Sequence, residues 1–120
     1  MDEKSLFLGF DHMGINCNTG TDAADNAALV HTLFGFDVID GKDSIYAGPA
    51  IELMKDGDAG RGKFGHIAVA TRDIHEAQKH LEEKGFEFDP TSVKYDSKGQ
   101  LIVVYLKSEI SGFAIHLLKK

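Results

Sequence analysis

A glycine-rich stretch in the middle of the chain, "GDAGRGKF" at residues 57–64, nearly matches a nucleotide-binding motif. In the motif G-x-x-x-x-G-K-[ST], backbone N–H groups and the lysine hold phosphates, and the final hydroxyl binds Mg²⁺. Here Phe64 replaces the hydroxyl residue, and the alternating run "FGHIAVAT" predicts a strand where the motif requires the N-terminus of a helix. We therefore interpret the stretch as a linker between two structured segments.

The two segments that flank this linker repeat each other, which indicates an internal duplication. The matching pieces occur in the same order in both halves, so we expect each half to contain the same elements. The matches are "FDHMGI" at 10–15 with "FGHIAV" at 64–69, "FGFDV" at 34–38 with "KGFEF" at 84–88, and "AIELMK" at 50–55 with "AIHLLK" at 114–119.

Each half contains the signals of one helix followed by several short strands. In the second half a capping box at residues 73–76 begins the helix and Gly85 ends it; in the first half Thr21 or Asp22 begins it and Gly35 ends it. The predicted strands after the helices are "FDVID", "SIYAG" and "AIELMK" in the first half, then "FEFDP", "SVKYD", "LIVVYL" and "FAIHLL" in the second. Each half is therefore predicted to run strand, helix, then three strands, with one additional short run, "FEFDP", directly after the second helix.

The composition limits the classes of protein to which the chain can belong. A chain of 120 residues is most simply one domain, large enough to fold without disulfides or a structural metal. Its net charge of -6 argues against binding to nucleic acid, and its apolar runs are shorter than the ~20 residues of a membrane helix. The single cysteine and a start without a signal-peptide pattern predict a cytoplasmic protein.

The paired halves, which open with "DHMGI" and "GHIAVAT" and close with "IEL" and "IHL", resemble the vicinal oxygen chelate superfamily over nearly the whole chain. This superfamily includes the glyoxalase I, bleomycin-resistance, methylmalonyl-CoA epimerase and extradiol dioxygenase families. The resemblance implies one α+β domain over residues 1–120, in which two tandem βαβββ modules form a curved mixed sheet with the helices on its convex side. Module one spans about 8–56, the linker 57–63 and module two 64–119.

The resemblance also implies a metal site. Metal-binding members take their ligands from the first and last strands of each module, and these positions are His12, Glu52, His66 and His116 in this sequence. The implied cofactor is a divalent ion, one of zinc, nickel, manganese, cobalt or iron, which suits three nitrogen ligands and one oxygen ligand. His116 stands where the superfamily more often has glutamate.

Strand alternation places these four residues opposite an apolar surface. On the polar face, His12 is expected beside Phe10 and Gly14. The opposite face would pack against the helices, and it consists of Met13, Ile15, Ile51, Leu53, Ile67, Val69, Ile115 and Leu117.

The resemblance implies proton-transfer chemistry of the isomerase, epimerase or lyase type. In glyoxalase-like members a glutamate ligand moves protons while the metal holds two neighbouring oxygens of the substrate. Glu52 would be the base, with His116 as a third neutral ligand or a proton carrier. A dioxygenase built on His12, His66 and Glu52 is an alternative of lower rank. Contacts with an anionic substrate are expected from Tyr46, Lys94 and Tyr105.

The substrate and the partners rest on a narrower resemblance. The segments "SIYAGPAIELMK" and "KYDSKGQLIVVYLKSEISGFAIHLLKK" are similar to small oxygen-chelate proteins that accompany 2-dehydro-3-deoxyphosphogluconate/4-hydroxy-2-oxoglutarate aldolases. This similarity implies a 2-oxo acid or sugar acid as ligand. It leaves open a metal-free binding protein or a regulatory companion of such an aldolase.

Exposed edge strands predict a symmetric homodimer.

Three further histidines and the cysteine are not expected in the site. His75 and His80 lie on the charged face of the second helix and are expected to be solvated, whereas His31 aligns with an apolar position and is expected to be partly buried. Cys17 falls on the side of its strand opposite His12, which argues against a thiol ligand.

Overall fold

Two βαβββ halves join through their first strands to form one sheet. The computed structural model describes residues 3–57 and 61–120, so residues 58–60 of the predicted linker lie outside the described residues. The elements are α1 (Glu3–Leu6), β1 (Phe7–Asn16), α2 (Gly20–Phe34), β2 (Val38–Asp40), β3 (Ser44–Ala47), β4 (Ile51–Met54), β5 (Gly65–Thr71), α3 (Ile74–Glu83), β6 (Lys94–Tyr95), β7 (Leu101–Ile110) and β8 (Phe113–Lys119), with a 3-10 helix (Pro90–Ser92) before β6.

The eight strands form one mixed sheet in the order β2-β3-β4-β1-β5-β8-β7-β6. β1 pairs antiparallel with β5, and each of these two strands pairs in parallel with the last strand of its own half, β4 or β8. The predicted α+β fold with a curved mixed sheet is therefore confirmed. The strand that follows the glycine-rich stretch, β5, is also where the alternation predicted it.

The helices pack on the face of the sheet that the apolar residues of the strands cover. Ala23 and Ala27 of α2 lie in one core cluster with Leu53 of β4. Ile74 and Ala77 of α3 lie in a second cluster, which contains Leu6, Phe88, Leu101, Val104 and Leu117. Leu53 and Leu117 therefore pack against the helices, as predicted for the apolar face of the strands. The opposite, concave face of the sheet is available for a site.

Helix α2, the first of the two helices predicted from the sequence, begins earlier than predicted. Its N-cap is Thr19, whose hydroxyl accepts a hydrogen bond from the backbone N–H of Asp22 at 3.1 Å. Asp22 was a candidate cap, but its carboxylate instead accepts from the N–H of Asn18. The other boundaries agree with the sequence: Asp73 caps α3, and Gly35 ends α2 with a φ of 74°.

The predicted strand "FEFDP" is reduced to a single bridge between Phe88 and Leu106. Asp89 then caps the 3-10 helix, and Pro90 cannot donate a hydrogen bond to a neighbouring strand. The next predicted strand, "SVKYD", shortens to the two residues of β6. These corrections place the 3-10 helix beside the concave face, where it contributes to the site.

β1 is irregular, and this irregularity moves Phe10 to the other face of the sheet. The pairing register shifts between Phe10 and His12, so that Phe10 lies opposite Val69 and His12 opposite Ala68. Residues that lie opposite each other across two strands point to the same face. Phe10 therefore shares the apolar face with Val69, and the expectation that it lies beside His12 is wrong because a β-bulge inserts Asp11.

Within the part of the chain that the structure describes, no helix is both long enough and apolar enough to cross a membrane.

Candidate functional site

The register of the four central strands arranges the predicted site residues in two adjacent rows across the concave face. One row runs from His12 on β1 through Ala68 on β5 to His116 on β8. The other runs from Glu52 on β4 through Gly14 on β1 to His66 on β5. In each row a small residue lies between the two polar ones, which lets their side chains converge above it.

The four predicted ligands come together. His12, His66 and His116 each offer a ring nitrogen, and these three atoms lie within 4.8 Å of one another. Oε1 of Glu52 lies 3.1 Å from Nε2 of His66 and 3.4 Å from Nε2 of His12. The duplication therefore brings residues from four strands and both halves to one point.

Hydrogen bonds at Nδ1 orient two of the three imidazoles. Nδ1 of His12 donates to Oδ2 of Asp11 at 2.7 Å, and Nδ1 of His116 donates to the carbonyl oxygen of Leu117 at 3.0 Å. In each ring, Nε2 is left as the nitrogen that can bind a metal. Such support from a carboxylate or a backbone carbonyl is typical of metal-binding histidines, because it fixes the tautomer and the ring plane.

Glu52 is a carboxylate in this environment. Burial raises the pKa of Glu52, but hydrogen bonds from His12, His66 and Ser44 outweigh burial and hold the pKa well below its usual range. The hydroxyl of Ser44 donates to Oε2 at 2.7 Å, so one oxygen is held by Ser44 and the other faces the two imidazoles. The hydrogen bond with Glu52, followed by the one with Asp11, raises the pKa of His12 despite its burial.

His116 is neutral at physiological pH. Burial lowers the pKa of His116 to about 4, and the nearby positive charges of His66, His12 and, last, Lys94 add to the decrease. A neutral imidazole with its Nδ1 proton fixed presents a lone pair on Nε2, which is the form that binds metal. Three imidazoles and one ionised carboxylate are a suitable donor set for a divalent transition ion, so the residues present fit the implied cofactor.

Two tyrosines border the cluster at equivalent places in the two halves. Tyr46 on β3 lies opposite Glu52, and Tyr105 on β7 lies opposite His116. The ring centroids of Tyr105 and His116 are 4.8 Å apart, and those of Tyr46 and His12 are 5.8 Å apart. Burial, together with the negative charge of Glu52, raises the pKa of each tyrosine to about 12, so both hydroxyls stay protonated and can donate to a ligand.

A cavity of about 440 Å³ opens above the cluster. This volume is within the range of small-molecule sites. All the predicted substrate contacts, Tyr46, Lys94 and Tyr105, line it together with the four cluster residues. Its wall also contains Arg61 and the 3-10 helix residues Thr91 and Ser92, which the sequence interpretation did not include.

Asp11 and Ser44 were also missed as supporting residues, for different reasons. Asp11 precedes His12, and neighbours in a regular strand point to opposite faces, so only the bulge makes their contact possible. Ser44 is two residues from Tyr46 and thus on the same face of β3, a signal that alternation could have supplied.

The other histidines and the cysteine lie outside the cavity. Cys17 is buried in the core cluster beneath α2. His31 is exposed, contrary to the expectation of partial burial, and its Nδ1 donates to the carbonyl of Phe36 at 2.7 Å. His75 is exposed as expected, whereas His80 is partly buried, with its ring centroid 5.9 Å from that of Phe7.

Comparison with solved structures shows the same fold at low sequence identity. A methylmalonyl-CoA epimerase in complex with methylmalonyl-CoA and NH4+ is 19% identical, with a TM-score of 0.68, 97% of this chain covered and 96% of that chain. The methylmalonyl-CoA epimerase from Mycobacterium tuberculosis is 18% identical, with a TM-score of 0.68 and coverages of 99% and 92%. A hypothetical protein from Bacillus halodurans C-125 is 17% identical, with a TM-score of 0.65 and coverages of 92% and 93%.

No curated protein matches the sequence. A family model, that of the Glyoxalase/Bleomycin resistance protein/Dioxygenase superfamily, matches residues 9–114. This span includes most of β1, the whole of β5, α2 and α3, and three of the four cluster residues. It ends two residues before His116, on the strand that carries it. The chain therefore belongs to the Glyoxalase/Bleomycin resistance protein/Dioxygenase superfamily.

Proposed function

We propose that the protein is a metal-dependent enzyme that transfers a proton at a carbon atom next to a carbonyl group in a small 2-oxo acid or sugar acid. The observation that carries this proposal is the convergence of His12, Glu52, His66 and His116 at the floor of one cavity. A divalent ion bound there would draw electron density from two neighbouring oxygens of the ligand and so acidify the adjacent C–H bond.

The residues of the chain supply the rest of the chemistry. Glu52 is ionised, so it can accept a proton from the carbon, and the hydroxyl of Ser44 holds its second oxygen in place. Tyr46 and Tyr105 are protonated donors on either side of the cluster, suited to the oxygens on which negative charge develops. His116 is neutral and buried, which suits a ligand role more than that of a base.

A metal-free binding protein is the second candidate, and the contacts of Glu52 with two histidines favour it. Oε1 of Glu52 contacts both His12 and His66, so an ion pair without a metal partly satisfies these buried groups. In that case the protein would bind a small acid, as a bleomycin-resistance protein binds its ligand, or act as a companion of a sugar-acid aldolase.

A dioxygenase centred on His12, His66 and Glu52 would use the same residues with iron.

Metal content separates these candidates. Protein purified without an affinity tag is expected to hold about one transition-metal ion per chain, because three imidazoles and a carboxylate match tetrahedral or octahedral coordination. The double variant His12→Ala/His66→Ala should lose this metal in elemental analysis. The matched control, His31→Ala/His75→Ala, removes two exposed imidazoles and should keep it. Wild-type protein that stays metal-free after addition of zinc, nickel, manganese and iron would support the binding protein instead.

We also propose a symmetric dimer. The two halves pair within one chain through β1 and β5, so no exchange of halves between chains is required. Large apolar side chains nevertheless remain on the surface: Phe10 is 77% exposed and Ile39, on the edge strand β2, is 68% exposed. Light scattering at micromolar concentration is expected to give twice the chain mass of 13.1 kDa. The mass of a single chain at that concentration would contradict this proposal.

A further inference from the structure

The mouth of the cavity carries a charge opposite to that of the whole chain. The chain has 19 acidic against 13 basic residues, yet of the three fully charged residues that line the cavity in the described part of the chain, two are the cations Arg61 and Lys94. The third is Glu52, which the cluster holds at the floor through His12 and His66. Positive charge concentrated in a cleft raises the local concentration of anions.

Arg61 is held in place by contacts that, among residues 3–57 and 61–120, use only part of its donor set. Its Nη1 makes an ion pair with Oδ2 of Asp89 at 2.6 Å, and its Cζ lies 5.2 Å from the ring centroid of Tyr105. The other carboxylate oxygen of Asp89 accepts from the N–H and the hydroxyl of Thr91 at 2.9 and 2.7 Å. Because a guanidinium has five N–H donors in a planar fork, one ion pair leaves an edge available to a ligand.

The backbone next to Arg61 is fixed by close packing. Gly62 has a φ of 78°, and a Cβ at this position would overlap the carbonyl oxygen of Gly65 and approach the backbone nitrogen of Ala114. The side-chain N–H of Asn16 donates to the carbonyl of Gly62 at 2.9 Å. Packing around Gly62, in the predicted linker, therefore fixes the backbone beside Arg61 and holds its guanidinium at the cavity in a defined position.

Lys94 lines the same cavity from β6. Its side chain is exposed, and it has no carboxylate partner among residues 3–57 and 61–120. Lys94 is thus a flexible cation that can approach an anion already bound to Arg61.

We propose that Arg61 and Lys94 form a carboxylate-binding subsite, which selects small ligands that carry a second carboxylate away from their reacting end. The placement of the reacting end rests on the proposed function, since that end would contact the cluster. The guanidinium of Arg61 lies over Tyr105, whose ring is 4.8 Å from that of His116. With Cζ of Arg61 5.2 Å from the ring centroid of Tyr105, the guanidinium is close enough to the cluster for one short dicarboxylate to contact both.

Calorimetric titration with two probes tests the subsite. The first probe is 2-oxoglutarate and the second is its monomethyl ester at the carboxylate distal to the oxo group. The wild-type protein should bind the free acid more tightly than the ester by about 10- to 100-fold, the range expected for hydrogen bonds to a charged group. The variant Arg61→Met should lose most of this preference, and Arg61→Lys should keep part of it because charge remains without the planar fork.

Matched variants and a second readout keep the subsite separate from the metal centre. Lys94→Met should reduce the preference, whereas Lys98→Met, which removes an exposed lysine from the nearby turn outside the cavity, should leave it unchanged. Metal content, measured on every sample, should not change in these variants. Equal affinity of the wild type for acid and ester, or no binding of either, overturns the subsite whatever the metal content. A preference for the acid in a protein that binds no metal would keep the subsite and overturn the metal-dependent function.

Discussion

Glu52→Gln is expected to slow proton exchange in a bound 2-oxo acid by about 10² to 10⁴, the usual contribution of a general base. Its carboxylate is ionised in the folded protein because hydrogen bonds from His12, His66 and Ser44 outweigh the effect of burial on its pKa. A glutamine has nearly the same shape and still offers an oxygen to a metal, but it cannot accept the proton. The variant should therefore retain much of its metal while it loses exchange.

The exchange reaction can be measured before the physiological substrate is known. Candidate 2-oxo acids and 2-oxo sugar acids are incubated with the protein in deuterated water, and NMR follows the loss of the proton on the carbon next to the carbonyl. His116→Glu is the matched comparison, because it exchanges one metal-binding side chain for another and should remain active. Equal exchange in wild type and Glu52→Gln would exclude Glu52 as the base and transfer that role to His116. The absence of exchange with every candidate would favour a binding role.

The duplication made most of the fold and the cluster predictable. Matching pieces in the same order predicted two equivalent halves, and strand alternation predicted that His12, Glu52, His66 and His116 share one face. The family resemblance singled out these four positions; chain order and the period of two along a strand then placed them on one face. The equivalence extends to Tyr46 and Tyr105, each of which lies opposite the last-strand cluster residue of its half.

The features that the sequence did not reveal depend on departures from regular structure. The bulge at Asp11 moves Phe10 to the apolar face and brings a carboxylate to His12, and nothing in the alternation of "GFDHMG" marks an extra residue there. Arg61 reaches the cavity because Gly62 takes a positive φ within a tightly packed turn, a tertiary constraint that a glycine-rich stretch does not specify by composition. The 3-10 helix Pro90–Ser92, at the end of the segment predicted as a strand, also brings Thr91 and Ser92 into the wall.

Gly14 should be essential to the site for a steric reason. It lies between Glu52 and His66 in one row of the concave face, and a Cβ on Gly14 would overlap the imidazole of His66, only 2.6 Å from its Nε2. Gly14 is not among the residues with a positive φ, so alanine fits its backbone conformation and the conflict is confined to the side chain of His66. The larger residue must therefore push this imidazole away from Glu52.

Gly14→Ala is accordingly expected to weaken metal binding by about 10- to 100-fold or more, since even the loss of a group that only orients a ligand has an effect of that size. Overpacking should also lower the free energy of unfolding by about 1–3 kcal/mol. Competition with a chromophoric chelator measures the metal affinity, and chemical denaturation of the metal-free protein measures the stability. Gly20→Ala is the matched control, because a Cβ there, at the start of α2, meets nothing within 4 Å and the φ is not positive. Wild-type metal affinity in Gly14→Ala would mean that His66 can leave its position without affecting the ion. That result would remove His66 from the ligand set and leave His12, Glu52 and His116 to hold the metal.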